Sequence, residues 1–155
     1  MKNHKFSAKL SLGVCIFFAV VLFVGLFAFP AFFRWFYIDY HHLNPENTLV
    51  MHNLRTVIGT FYACAPFAAA ALYMLIRLLR NILKDDVFIL SNVRYLRYIS
   101  WCCWAVALAT GIAGVFYMPL AIIAAAMAVV GTLLRVVKNV VHAAVTLREE
   151  NDLTI

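Results

Sequence analysis

The side chains best suited to chemistry cluster between residues 39 and 52. His41, His42 and His52 fall there with Asp39 and Glu46. Imidazole and carboxylate bind zinc and other transition metals, and imidazole titrates near neutrality. The spacing matches no familiar metal motif, and adjacent histidines point in different directions. A solvated interfacial loop is therefore the plainer account, with His41, His42 and His52 as metal (or haem) candidates only. Elsewhere there is no glycine-rich phosphate loop, no nucleophile elbow and no pair of catalytic carboxylates. Asp85-Asp86 and Glu149-Glu150 read as solvated flanking charges. Cys15, Cys64, Cys102 and Cys103 show no CxxC or Cys/His spacing and read as small hydrophobes. The expectation is a protein that is not an enzyme and holds no cofactor.

The elements that would carry these residues are set by charge. Leu10 to Phe33, Thr56 to Ile76 and Tyr98 to Leu134 contain no charged residue. The chain is 65% hydrophobic and 13% charged, against about 50% and 25% in soluble domains. A soluble domain of this length could not hide so much apolar surface. A span needs about 20 apolar residues to cross about 30 Å of hydrocarbon. Tyr98 to Leu134 as one helix would run about 55 Å, and Pro119 offers the break, so it reads as a helical hairpin turning near Phe116-Tyr117-Met118-Pro119. The fold class that follows is all-α, an integral membrane four-helix bundle with spans at about 10–29, 54–76, 98–117 and 119–137.

Sidedness follows from the basic residues. With both ends in the cytoplasm, only Arg34 and Arg55 of the 13 Lys and Arg lie outside, a strong positive-inside bias. The net charge of +6 is thereby explained by topology and by anionic lipid heads. No groove-reading motif is present, so no direct nucleic-acid binding is expected. This N-in/C-in layout gives an external loop at 30–53, a cytoplasmic loop at 77–97 and a cytoplasmic tail at 138–155. The uncharged run after Lys9 is longer than the 7–15 residue core of a cleaved signal peptide, so the first segment reads as a retained helix ending at Pro30. An aromatic cluster at Phe32, Phe33, Trp35, Phe36, Tyr37 and Tyr40 marks the outer interface, and Asn44-Pro45 is a turn signal.

Within the spans no ionisable group lies near the middle, which argues against pumps, proton-coupled carriers and intramembrane proteases. Thr60, Tyr62, Tyr73, Ser100 and Thr110 are the main polar groups, and bonds to their own helices account for them. Pro66 and the alanines after it suit a packed span. Ala107 with Gly111, and Ala124 with Ala128, give small-residue spacings for close helix approach. Ser91 is a candidate cap for the third helix. Leu133, Val137, Val140, Ala144 and Leu147 recur at helical spacing opposite Arg135, Lys138, Asn139, His142, Thr146 and Glu149. The fourth helix is thus expected to extend into the cytoplasm. Its stripe would pack on the chain's own loop or the membrane surface, or else on a partner or a second copy.

Two segments carry a family likeness. One is Asp86 to Arg97, in which Phe88, Asn92, Leu96 and Arg97 fall at fixed positions; the other is the acidic end closing on Asn151-Asp152-Leu153-Thr154-Ile155. Together they resemble the bacterial DUF2975 family of small four-span membrane proteins. Asp86 and Ser91 stand near places where that family often has a Gly and an acidic residue. The family has no established activity, and its members are often encoded beside a small helix-turn-helix regulator. The resemblance implies a multi-pass protein of the bacterial cytoplasmic membrane with a regulatory role. A partner would be met by Phe88, Asn92, Leu96, Arg97 and Asn151 to Ile155, with Asn92 and Arg97 ordering the loop. A transport or permeability component, a metal-binding membrane protein and a homo-oligomer are the alternatives.

Overall fold

The computed structural model describes residues 2–40, 47–84 and 89–153. Four long helices carry these residues: α1 (Lys2–Arg34), α2 (Thr48–Leu83), α3 (Leu90–Gly114) and α4 (Pro119–Leu153), with a π-helical extension of α1 over Trp35–Tyr40. Among the described residues there is no strand. All four helices are long and apolar enough to cross a membrane.

The local sequence sets most of the ends. Asn47 caps α2, its side chain accepting from the Leu49 N–H at 3.0 Å. Between α3 and α4 the chain reverses over residues 115–118, as expected. Pro119 opens α4, where its missing N–H has no partner to lose. The Leu120 and Ala121 amides bond back to Tyr117 and Met118 at 3.0 and 2.9 Å. The reversal is tight because Gly114 lets the backbones meet. A Cβ there would lie 2.8 Å from the Ala121 nitrogen.

Several expected boundaries shift. α1 does not end at Pro30 but runs through it to Arg34 and on to Tyr40. The freed acceptor is the Leu26 carbonyl, four residues earlier, and the Tyr62 hydroxyl of α2 donates to it at 2.7 Å. That bond accounts for a proline inside the helix. Of the expected 30–53 loop, residues 30–40 and 48–53 are helical; Asn44-Pro45 lies outside the described residues. Of the 77–97 loop, residues 77–83 belong to α2 and 90–97 to α3. Ser91 sits inside the first turn of α3 and does not cap it. Ile89 holds that position with no side-chain cap.

The helices alternate in direction. Phe29 stacks on Phe61, Asn81 bonds Asn92, and Ser100 bonds Gly131, so each pair of chain neighbours is antiparallel. Packing follows chain order: α1 on α2, α2 on α3, α3 on α4. No comparable contact joins α1 to α3 or α4 among the described residues. The four expected helices are therefore arranged as an open row, with α3 as its most buried member. The accessible area of 10719 Å² exceeds the roughly 7,900 Å² of a compact globule of this mass. The excess is apolar: Phe17, Phe23 and Phe27 of α1, Leu108 and Ile112 of α3, and Val115 just beyond it are all exposed. In an aqueous protein such faces would aggregate; against lipid they cost nothing, and the chain is a multi-pass membrane protein by this measure.

Candidate functional site

The alternation brings the start of α1, the end of α4, the α2–α3 junction and most of the described basic side chains to one end of the molecule. Arg80 lies in the last turn of α2 and Lys84 caps it, Arg94 and Arg97 lie in the first turns of α3, and Arg135 and Lys138 of α4 share a cleft with Arg97. Arg34 and Arg55 lie at the other end. On α2, the Arg77 Nε and Nη2 donate to the Tyr73 hydroxyl at 3.0 and 2.7 Å.

Two buried hydrogen bonds fix this end. Asn92 is 2% exposed, and its Oδ1 accepts from the Asn81 Nδ2 at 2.9 Å, tying α3 to α2. About two turns further on, Ser100 is 1% exposed and its hydroxyl donates to the Gly131 carbonyl at 2.8 Å, tying α3 to α4. Interhelix bonds of this kind are one of the few forces that favour helix contact over lipid contact. Gly131 also admits the Trp104 indole, whose Cδ1 would stand 3.0 Å from any Cβ placed there.

Above Ser100 the α3–α4 seam opens into a cleft of about 270 Å³ lined by Arg97, Ser100, Trp101, Arg135, Lys138 and Asn139. It adjoins a second hollow of about 450 Å³, lined by Trp101, Trp104, Ala105, Leu108 and Arg135. The Arg135 guanidinium lies over both indoles, 4.8 Å from the Trp101 ring centre and 5.8 Å from that of Trp104, a cation–π arrangement. An apolar groove of about 550 Å³ continues along the seam past Gly111, Ile112 and Val115. The arrangement can hold an anion at its mouth and apolar chain below.

The residues expected to meet a partner divide. Asn92 and Leu96 are buried, Asn92 bonded to Asn81 of α2, while Arg97 is exposed and lines the α3–α4 cleft. Asn151 is exposed on α4, and α4 continues through Asp152 and Leu153. Phe88, Thr154 and Ile155 lie outside the described residues, as do His41 and His42. His52 sits in the first turns of α2 with its ring 5.5 Å from Phe116. Among the described residues no group of three His, Cys, Asp or Glu side chains could hold a metal.

Of the span hydroxyls, Thr60 and Thr110 bond their own helices as expected, to Thr56 and Val106. Tyr62 and Ser100 instead bond neighbouring helices, and Tyr73 accepts from Arg77. The stripe of Leu133, Val137, Val140 and Leu147 does not pack on the chain: all four are exposed, and Val145, at 2% exposure, is the inward residue. The pairing of Trp101 and Trp104 with Arg135 was missed in the sequence. Its signal was there, since Arg97, Trp101, Trp104 and Leu108 recur at spacings that share one helix face.

No curated protein and no solved structure matches the chain. A family model matches residues 9–155, and it covers both segments singled out above. With essentially the whole chain inside that match, the protein belongs to the family described as "Protein of unknown function (DUF2975)".

Proposed function

We propose that this chain is a non-enzymatic regulatory protein of the bacterial cytoplasmic membrane, with both ends inside, that holds a small helix-turn-helix regulator on the exposed end of α4. Sidedness rests on the positive-inside bias, which assigns the Arg97–Arg135 end to the cytosol. From Arg97 to the turn at Tyr117 the chain rises about 30 Å, one hydrocarbon thickness. Tyr98 and Trp101 then stand at the inner interface, where aromatic belts form.

The observation that carries the reading is what lies beyond that level. α4 continues from Arg135 to Leu153 for about 27 Å, and its Val137, Val140 and Leu147 are exposed there. An apolar stripe in water marks an interaction surface. The last turn of α4, beyond Arg148, carries Glu149, Glu150 and Asp152, opposite in sign to the basic DNA-reading face of a helix-turn-helix protein. A regulator held on this helix would be kept from DNA. Transport is the weaker reading, because the two hollows along the α3–α4 seam beyond Arg135 are lined almost wholly by apolar residues.

The test is co-purification of the neighbouring regulator with the full-length protein from detergent, together with a reporter of its promoter. Removing Asn151 to Ile155, and separately Leu147→Glu, should release the regulator and change transcription. If both variants leave binding and transcription as they were, the reading is wrong.

A further inference from the structure

We infer that the α3–α4 seam is a binding site for one anionic phospholipid, its phosphate held by Arg97, Arg135 and Lys138 and an acyl chain laid along Trp104, Leu108 and Ile112. The site rests on the bilayer placement given above and is independent of any regulator.

Three features converge on an amphiphile rather than on a peptide or a soluble anion. The first is charge. Three cations and no carboxylate line the mouth, and among the described residues none of the three cations takes part in an ion pair. Arginine suits phosphate because its planar donors match the oxygen spacing. The Arg135 guanidinium carbon lies over the Trp101 and Trp104 rings, and ring contact uses none of its N–H donors, which are left for a ligand.

The second feature is the gradient. The cationic cleft, the indole-walled hollow and the apolar groove adjoin one another, sharing Trp101 and Arg135, then Trp104 and Leu108. Polarity thus falls from head to tail along one seam. The seam owes its depth to small residues. Ala124 and Ala128 face Ala107 and Gly111, with the Ala124 Cβ 3.6 Å from where a Gly111 Cβ would stand. The third feature is depth: the cations lie level with the inner headgroups, and the groove lies in hydrocarbon. Basic pockets between helices on the cytoplasmic side are known recognition sites for lipid heads.

The experiment is native mass spectrometry of the full-length protein released from detergent, after equilibration with phosphatidylglycerol, phosphatidylcholine of the same chains, or inorganic phosphate. The wild type should retain one phosphatidylglycerol in preference to phosphatidylcholine. R135Q and K138Q should each lower that preference about fivefold. R80Q, a cation at the same end but outside the cleft, should leave it unchanged. Leu108→Trp, which fills the groove while keeping every charge, should lower retention of phosphatidylglycerol. Should R135Q fail to fold, K138Q and Leu108→Trp carry the test alone. Equal retention of the two lipids, an R80Q loss as large as that of K138Q, or displacement by inorganic phosphate at matched concentration would each overturn the assignment. Loss of lipid preference with the regulator still bound would remove this site and leave the docking proposal intact.

Discussion

The α3–α4 hairpin and the α1–α2 pair solve the same problem by different means. Both must hold helices together where lipid is as apolar as any side chain, so burial of hydrocarbon gives little preference for the partner. The hairpin does it by close approach: Gly111 against Ala124, Gly114 against Ala121, and Gly131 under Trp104. The α1–α2 pair does it with bulk, as Phe29 stacks on Phe61 at 4.1 Å and Tyr62 reaches across to Leu26. Burial follows the method. In the most apolar stretches 39% of residues are buried in α3 and 11% in α4, against 6% in each of α1 and α2. The hairpin is therefore the part in which substitutions should be felt most, and α1 the part that lipid can most nearly replace.

The comparison breaks hardest at the turn. Gly114→Leu would place a Cβ within 2.9 Å of three atoms of Ala121, two of them backbone, and a backbone cannot step aside as a side chain can. Unfolding in mixed SDS micelles should show a loss of about 3 kcal/mol. Gly111→Ala, whose Cβ meets Ala124 at an ordinary 3.6 Å, should stay near the wild type. If the two substitutions cost the same, close approach is not what holds the hairpin.

Asn92→Leu comes next. It leaves the Asn81 amide without its buried acceptor, a loss of about 1–3 kcal/mol. Cysteine crosslinking between α2 and α3 should loosen while the α3–α4 seam stays closed. Ser100→Ala should cost less, about 0.6–1.7 kcal/mol, because the Gly131 carbonyl keeps its place in the α4 ladder. Here the weakening should appear between α3 and α4. Opposite outcomes in the crosslinking would reverse the assignment of the two bonds.

The contrast also explains which parts were legible in the sequence. Span number, the turn at Phe116 to Pro119 and the small-residue spacings of Ala107 with Gly111 and Ala124 with Ala128 follow from charge, proline and residue size, and the structure lines all four small residues along the α3–α4 seam. Which face of a helix meets protein does not follow in lipid, because both faces are apolar. Leu133, Val137 and Val140 form a regular stripe and yet are exposed, whereas Val145, which lies outside that stripe, is buried. For the same reason Asn92 and Leu96, which read as a motif offered to a partner, turn out to be core. A proline also misleads as a helix end when its rescuing donor sits on another helix, as Tyr62 does for Pro30. The Arg135 cleft was hidden because its indoles and its cation come from different helices.

The smallest expected effect tests the looser pair most directly. If Tyr62 serves α1 by donating to the carbonyl that Pro30 leaves free, then Tyr62→Phe should cost about 0.6 kcal/mol, the usual value of one interhelix bond in a membrane. In a Pro30→Ala background the residue 30 amide can bond that carbonyl itself, and Tyr62→Phe should then cost almost nothing. A double-mutant cycle measured in the same micelles isolates the coupling. Equal costs in the two backgrounds would mean that the hydroxyl does not support the proline, and α1 would owe its place to the Phe29–Phe61 stack alone.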